Sequence, residues 1–429
     1  MPYLFLFLYF ILFASSSSAQ YVANNATLVK LTSFVTSDGA VSLDGSPAAI
    51  YIKIDKEINK FVLLQKGGAW CTSIGDCYSR SKTTLGSTNN YPTTVDLNLD
   101  NDIFGGEPFP ILSNNQSYSP QFWNWTKIYL PYTDGGSQVG NLNDPIHLNN
   151  NTEIMYFRGY RILTAIQNYL SNINNVCNPK TDLGCGILKD ASDIVISGGS
   201  AGALSVYLHA DQWLDYIPNN QIRNPRSSST SPSTTTTTTV VAIPDSGFFL
   251  DYNNVKINNQ SWHDEMVWVV EAMNGTNSLP TLCLAANPTN RTRCFFAEHV
   301  SPFIQVPTFA LQSEYDAYQV VAELHAQPSE NTAINGYGQL LTNLIYTNLI
   351  NTSNIHGMFL DSCYHHTRYW GDIIINQMNC AQSIQTWYNY ITNNIVNNNN
   401  TITNMNDISQ RVWFQNQNYP CTNCCTGGQ

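Results

Sequence analysis

Ser200 lies at the centre of Gly198-Gly199-Ser200-Ala201-Gly202, after the apolar run Ile194-Val195-Ile196 and before Ala203-Leu204-Ser205-Val206-Tyr207-Leu208. An apolar β-branched run, a Gly-x-Ser-x-Gly turn and a helical pattern make the frame that lifts a serine hydroxyl clear of a sheet. Gly198 and Gly202 remove the side chains that would hold strand and helix apart. The Ala201 N–H follows directly and is expected to face an oxyanion bound at Ser200. A serine so placed attacks acyl carbonyls. That chemistry needs a base, an acid to orient the base, and further donors for the oxyanion.

The rest of the chain offers each part. Phe61-Val62-Leu63-Leu64-Gln65 reads as a strand running into Lys66-Gly67-Gly68-Ala69-Trp70-Cys71. Adjacent glycines after a central strand can turn bare N–H groups into a pocket, the second half of an oxyanion hole. Val306 to Gln312 is another strand, and Asp316 stands on the loop after it. Glu314 on the same loop is a rival carboxylate. So is Asp245, just beyond a strand over Val240 to Ile243. A late strand, Gly357 to Asp361, leads through Ser362-Cys363-Tyr364 to His365 and His366. One of the two histidines stands where the base belongs, and spacing does not choose between them. The chain order Ser, Asp, His predicts an α/β fold, α/β-hydrolase-like, with a mostly parallel central sheet and helices on both faces. A His-His metal site needs an acidic or third His partner, and none is visible in the sequence. No metal and no organic cofactor is expected.

These parts sit in a chain with a processing signal. Tyr3 to Ala14 is almost wholly apolar, and Ser15 to Ala19 is small and polar. The run is shorter than the roughly 20 residues a span needs. It predicts a signal peptide over residues 1–19, hence a secreted protein without a membrane span. All 11 cysteines follow it, a density suited to an oxidising compartment. Cys71 and Cys77, Cys177 and Cys185, and Cys283 and Cys294 are close in sequence, and Cys421, Cys424 and Cys425 form a terminal group. The odd count leaves one thiol over. Sequons at Asn25, Asn115, Asn124, Asn150, Asn259, Asn274, Asn290, Asn351 and Asn399 are expected glycan sites.

Residues 20–429 read as one domain, and a monomer is expected. The tract 223–239 is rich in Ser and Thr, without apolar periodicity, and reads as a disordered surface loop. It follows a helix and precedes a strand, so it belongs on the face opposite the catalytic loops. A net charge of −11 argues against nucleic acid and against a polybasic membrane patch. No internal repeat and no phosphate-cradling glycine loop is present.

The chain resembles the pectin acetylesterase family, which includes the Notum carboxylesterases. The resemblance runs in order over almost all of the mature chain. It includes Leu43-Asp44-Gly45-Ser46-Pro47, Leu64-Gln65-Lys66-Gly67-Gly68-Ala69-Trp70-Cys71 and Leu85-Gly86-Ser87. Phe122-Trp123-Asn124-Trp125, Asp134-Gly135, Phe157-Arg158-Gly159 and Ser197-Gly198-Gly199-Ser200-Ala201-Gly202 follow. Leu208-His209-Ala210-Asp211, Asp245-Ser246-Gly247-Phe248-Phe249-Leu250-Asp251, Tyr315-Asp316-Ala317-Tyr318-Gln319 and Ser362-Cys363-Tyr364-His365-His366 complete it.

The resemblance implies a Ser200, Asp316, His366 triad, the base lying three residues after Cys363. It implies oxyanion donors at the N–H groups of Gly67, Gly68 and Ala201. The chain departs from the family pattern at Gly199, where plant members carry cysteine, at Lys66, where Glu is usual, and at His209-Ala210-Asp211, which lacks a cysteine often present. These departures bear on disulfides and substrate preference. The implied activity is hydrolysis of O-acetyl esters on cell-wall polysaccharide. The alternatives are removal of a fatty acyl group from a protein and, from another class, a non-catalytic glycan-binding relative. Ala69-Trp70 after the glycines favours the acetyl-cleaving branch. A chain at −11 meets an acidic polysaccharide best if Lys66, Arg158 or Arg161 makes a local positive groove. Cys71 and Cys77 are expected to form a disulfide bracing the loop after the glycines.

Overall fold

The computed structural model describes residues 22–99, 109–148, 150, 152–217, 237–253, 261–368, 371, 373–396, 407–421 and 424–425. The expected leader lies outside these residues, as do Asn259, Asn399 and most of the Ser/Thr tract. That tract is shorter than its composition suggests. Thr238 and Thr239 are 3% and 5% exposed, and Thr239 already opens a strand. The two threonines continue the β-branched run Val240-Val241 into the sheet, where such side chains pack well.

Ten strands form one sheet: β1 (Asn25–Lys30), β2 (Ala49–Lys53), β3 (Glu57–Gln65), β4 (Thr94–Asp96), β5 (Trp125–Leu130), β6 (Asp193–Gly199), β7 (Thr239–Asp245), β8 (Phe309–Ser313), β9 (Gly357–Asp361) and β10 (Val412–Phe414). Their order across the sheet is β10-β9-β8-β7-β6-β3-β5-β2-β1-β4. From β10 to β5 every pairing is parallel. From β5 through β2 and β1 to β4 every pairing is antiparallel. The central strands read as unbroken apolar runs because both their faces are buried. Leu63, Ile196 and Ala242 point into one core, and Val62, Val195 and Val241 into the other.

Helices cover both faces, unequally. The first face carries α2 (Gly159–Ser171), α3 (Ala201–His209), α4 (Trp262–Ala272) and α6 (Asn331–Ile345), through buried residues such as Leu163, Leu204, Val269 and Leu341. The second is covered by α7 (Cys380–Val396), with Trp387 and Ile391 inward, and by the segment from Phe109 to Trp125. Two short helices complete the parts that position the site: α1 (Ile74–Arg80) after β3, and α5 (Ala317–Ala322) after β8.

Candidate active site

The parallel strands deliver their loops to one edge, as open α/β sheets do. Ser200 is the single residue between β6 and α3 and sits at φ 57°, ψ −126°. A non-glycine residue holds that backbone only where its surroundings enforce it. Here the Ser200 N–H donates to the Asp245 carbonyl at 2.9 Å. Gly202 lets the turn close, because a Cβ there would lie 2.2 Å from the Gln65 carbonyl oxygen. Gly67 does the same from the other side, where a Cβ would meet the Gly199 carbonyl oxygen at 2.1 Å. The Gly67–Gly68 backbone therefore runs directly beside Ser200. Among the described residues no carbonyl accepts from the N–H groups of Gly67, Gly68 or Ala201. Free donors around a serine are what an oxyanion hole requires.

Asp316 and His366 meet. His366 Nδ1 lies 2.9 and 2.8 Å from the two Asp316 carboxylate oxygens. Asp316 is fully buried and caps α5, accepting from the Tyr318 and Gln319 N–H groups at 3.0 and 3.1 Å. Gln312 Nε2 donates to its other oxygen at 3.4 Å. The cap satisfies two otherwise orphaned helix donors and fixes the carboxylate with them. Tyr318 then stacks on the His366 ring, centroids 5.4 Å apart. The far nitrogen, His366 Nε2, has no hydrogen-bond partner among the described residues, and His366 lines the same cleft as Ser200.

The rival groups do other work. His365 turns away, with Nε2 3.0 and 3.1 Å from the Asp361 carboxylate. Burial is the largest single influence and would lower its pKa, but the Asp361 charge and hydrogen bond, with the fields of Asp316 and Asp245, together outweigh it and the net shift is upward. Asp245 accepts the Arg368 N–H at 3.0 Å, and Ser246 Oγ accepts the Thr367 N–H at 2.9 Å, so both pin the backbone just after His366. Glu314 is buried beneath, takes bonds from Ser362 at 2.6 Å and Thr342 at 2.9 Å, and is pushed up to about 7 by burial.

Several residues that frame the site carry no motif of their own. Arg80, at the end of α1, donates from Nη2 to the Gly68 carbonyl at 2.8 Å. The Cys71–Cys77 disulfide ties the middle of α1 to the same loop. Trp70 donates from Nε1 to Ser137 Oγ at 2.7 Å, and Ser137 donates on to the Ala201 carbonyl at 2.8 Å. The glycine loop and the elbow are thus joined through one serine. The disulfide had a sequence signal in its short spacing and Trp70 in the run after the glycines, whereas Arg80 and Ser137 had none. Cys177–Cys185 and Cys283–Cys294 also pair as their spacing suggests, Cys363 pairs with Cys425 and Cys421 with Cys424, and Cys380 is the buried free thiol.

Away from the cleft, Asp251, Glu298 and His299 bring ligand-type atoms within 4.8 Å of one another. Arg293 Nε stands 3.2 Å from His299 Nε2, which places a fixed cation at that point.

A family model described as pectinacetylesterase matches residues 17–426. The chain belongs to the pectinacetylesterase family. It is 27% identical to pectin acetylesterase 11 of Arabidopsis thaliana over 76% of each protein. It is 23% identical to the palmitoleoyl-protein carboxylesterase NOTUM of Drosophila melanogaster, over 80% of this chain and 46% of that protein. A solved structure of the Wnt deacylase Notum from Drosophila superposes with a TM-score of 0.65 at 22% identity, covering 86% of this chain and 94% of that one. The fold is the α/β-hydrolase type expected, and the family makes the chain a carboxylic ester hydrolase. No helix among the described residues is long and apolar enough to cross a membrane.

Proposed function

We propose that this carboxylesterase removes O-acetyl groups from cell-wall polysaccharide through Ser200, His366 and Asp316. Ser200 Oγ attacks the ester carbonyl while His366 Nε2 takes its proton. Asp316 holds the Nδ1–H tautomer and stabilises the imidazolium that forms. The N–H groups of Gly67, Gly68 and Ala201 bind the tetrahedral oxyanion. His366 returns the proton to the departing sugar hydroxyl. Water, deprotonated by the same nitrogen, then releases acetate from Ser200. The observation that carries this reading is His366 bound through Nδ1 to both oxygens of a buried carboxylate, with Nε2 left unpartnered at the cleft that holds Ser200.

The acyl group is argued from the lining. The cleft has a volume of about 440 Å³, and among the described residues its larger apolar side chains are Leu85, Phe109 and Tyr318, while Lys66 and Arg368 supply two cations. A fatty chain laid against ammonium and guanidinium groups would desolvate them without compensation. Purified protein assayed on p-nitrophenyl esters from acetate to palmitate tests the choice. Activity is expected to fall with each added carbon, and acetylated pectin should release acetate. An apolar acyl channel would instead raise kcat/KM about fourfold per methylene, the equivalent of about 0.8 kcal/mol. A steady climb to eight carbons or more would overturn the acetylesterase reading in favour of the lipid-cleaving one.

A further inference from the structure

The core beneath Asp316 holds polar side chains that the sheet and helices bury almost completely. Gln312 on β8, Gln319 in α5, Glu323 just after α5 and Tyr337 in α6 are each at most 3% exposed. Groups so buried need hydrogen-bond partners, and these find one another. Tyr337 Oη donates to Glu323 Oε2 at 2.5 Å, and the Leu250 N–H donates to the same oxygen at 3.3 Å. Gln319 Nε2 donates to Glu323 Oε1 at 3.1 Å and to the Phe248 carbonyl at 2.9 Å. Gln319 Oε1 accepts from Gln312 Nε2 at 3.1 Å. The Phe248 N–H donates to Gln312 Oε1 at 3.1 Å. Gln312 Nε2 also reaches the Ser313 carbonyl and Asp316 Oδ2, both at 3.4 Å.

This chain of bonds has one direction. A carbonyl only accepts and an N–H only donates, so Phe248 fixes both amides. Its carbonyl requires Gln319 to present Nε2, which leaves Oε1 for Gln312. Its N–H requires Gln312 to present Oε1, which leaves Nε2 for Asp316. Turning either amide over would set donor against donor and acceptor against acceptor in a buried site. The loop after β7 thus serves both halves of the His366–Asp316 pair. Asp245 and Ser246 hold the backbone after His366, while Phe248 and Leu250 hold the chain that ends on Asp316.

We propose that Gln312 and Gln319 are positioning residues for the Ser200 reaction, with Glu323 anchoring their chain. Asp316 Oδ1 is held by two helix N–H groups, whereas Oδ2 meets His366 at 2.8 Å and takes its further bond from Gln312. Gln312 stops the carboxylate turning about its Cβ–Cγ bond and keeps Oδ2 on His366 Nδ1. Neither glutamine is among the residues lining the cleft, so both act through Asp316 and not on the substrate. This role holds only if Ser200, His366 and Asp316 are the triad proposed above.

At 3.4 Å the bond to Asp316 is long, which places its effect at the lower end for a bond to a charged group. Gln312→Met and Gln319→Met keep the length of the side chain but remove its donors and its acceptor. Each should lower kcat on p-nitrophenyl acetate about tenfold and leave KM within about twofold. Each substitution is then repeated in Asp316→Asn. A chain that works through Asp316 has nothing left to position there, so the further loss should be under about twofold. A further loss of about tenfold would mean general damage to the fold and would overturn the proposal. So would wild-type kcat in both methionine variants. Wild-type kcat in Asp316→Asn would overturn the triad reading itself, and the role of the glutamines with it. Neutron diffraction from crystals of the wild-type protein tests the direction of the chain without any substitution. Deuterons should lie on Gln312 Nε2 toward Asp316 Oδ2 and on Gln319 Nε2 toward the Phe248 carbonyl. Either amide found the other way round would overturn the proposal, whether or not the variants fold.

Discussion

His365 and His366 are neighbours in sequence, and each meets a carboxylate at close to 3 Å. Asp361 holds one and Asp316 the other. The difference lies in what the second nitrogen faces. His366 carries its free Nε2 to the cleft, and its side chain is 21% exposed. His365 is turned into the protein at 9% exposure, its carbonyl taking the Ala317 N–H at 3.0 Å. The His365 pair therefore acts on the backbone of the loop that presents the His366 pair. Two chemically identical pairs divide into one that is read as moving a proton and one that holds the first in place. A histidine–aspartate contact alone does not mark a catalytic site. The orientation of the second nitrogen and its access to a nucleophile do.

The sharpest separation is expected in rate. Ser200→Ala should lower ester hydrolysis by on the order of 10⁶-fold, to the level that oxyanion donors and binding alone sustain. Asp316→Asn should cost about 10⁴-fold, because the amide selects the wrong imidazole tautomer. Asp361→Asn should stay within about tenfold of wild type per folded molecule. Active-site titration alongside steady-state kinetics would check all three. Equal losses in the two aspartate variants would erase the distinction drawn between the histidines.

Stability should separate the pairs the other way. Asp361 also accepts the Cys363 N–H at 2.9 Å, and it is buried. Asp361→Ala removes the carboxylate that His365 Nε2 meets and should lower unfolding free energy by about 3–5 kcal/mol. Denaturant unfolding followed by intrinsic fluorescence would measure it. A loss below about 1 kcal/mol would mean that the pair does not hold the loop.

Much of this site was legible along the chain. The elbow declared itself because a strand, a glycine-flanked serine and a helix must follow one another locally. Asp316 could be placed because it follows a strand by a short loop. Asp245 and Glu314 satisfied that same local criterion, and only the folded chain distinguishes a carboxylate capping α5 beneath a histidine from one holding the Arg368 N–H or the Ser362 and Thr342 hydroxyls. The two histidines were inseparable by spacing for the same reason. Arg80 was invisible because its bond to the Gly68 carbonyl spans a disulfide loop and a helix, and no residue pattern encodes that return. Tyr318 stood in a quoted motif, but stacking is a property of two rings in space. Short cysteine separations gave the local disulfides, whereas Cys363–Cys425 closes 62 residues and left no local trace. In the sheet, the apolar runs of the parallel half were plain. The antiparallel strands β1, β2 and β4 have shorter, mixed sequences and emerged only in the fold.

The smallest expected effect concerns pH. The His365 pKa is raised in the folded state: burial, the largest single influence, lowers it, and the charge and hydrogen bond of Asp361 together with the fields of Asp316 and Asp245 more than offset that. The charged pair therefore contributes its full stabilisation below the unfolded histidine value of about 6.5. That contribution is lost as pH rises through the raised folded value, where His365 gives up its proton. The stability gap between wild type and Asp361→Ala should accordingly be widest below about pH 6.5 and narrow as the solution is made alkaline. Denaturant titrations of both proteins between about pH 5 and 9 would follow it. A gap that widened with pH would mean that the imidazole is bound in its neutral form, with Asp361 acting on the Cys363 N–H alone. The fit of His365 against Asp361 would then be a matter of shape rather than charge.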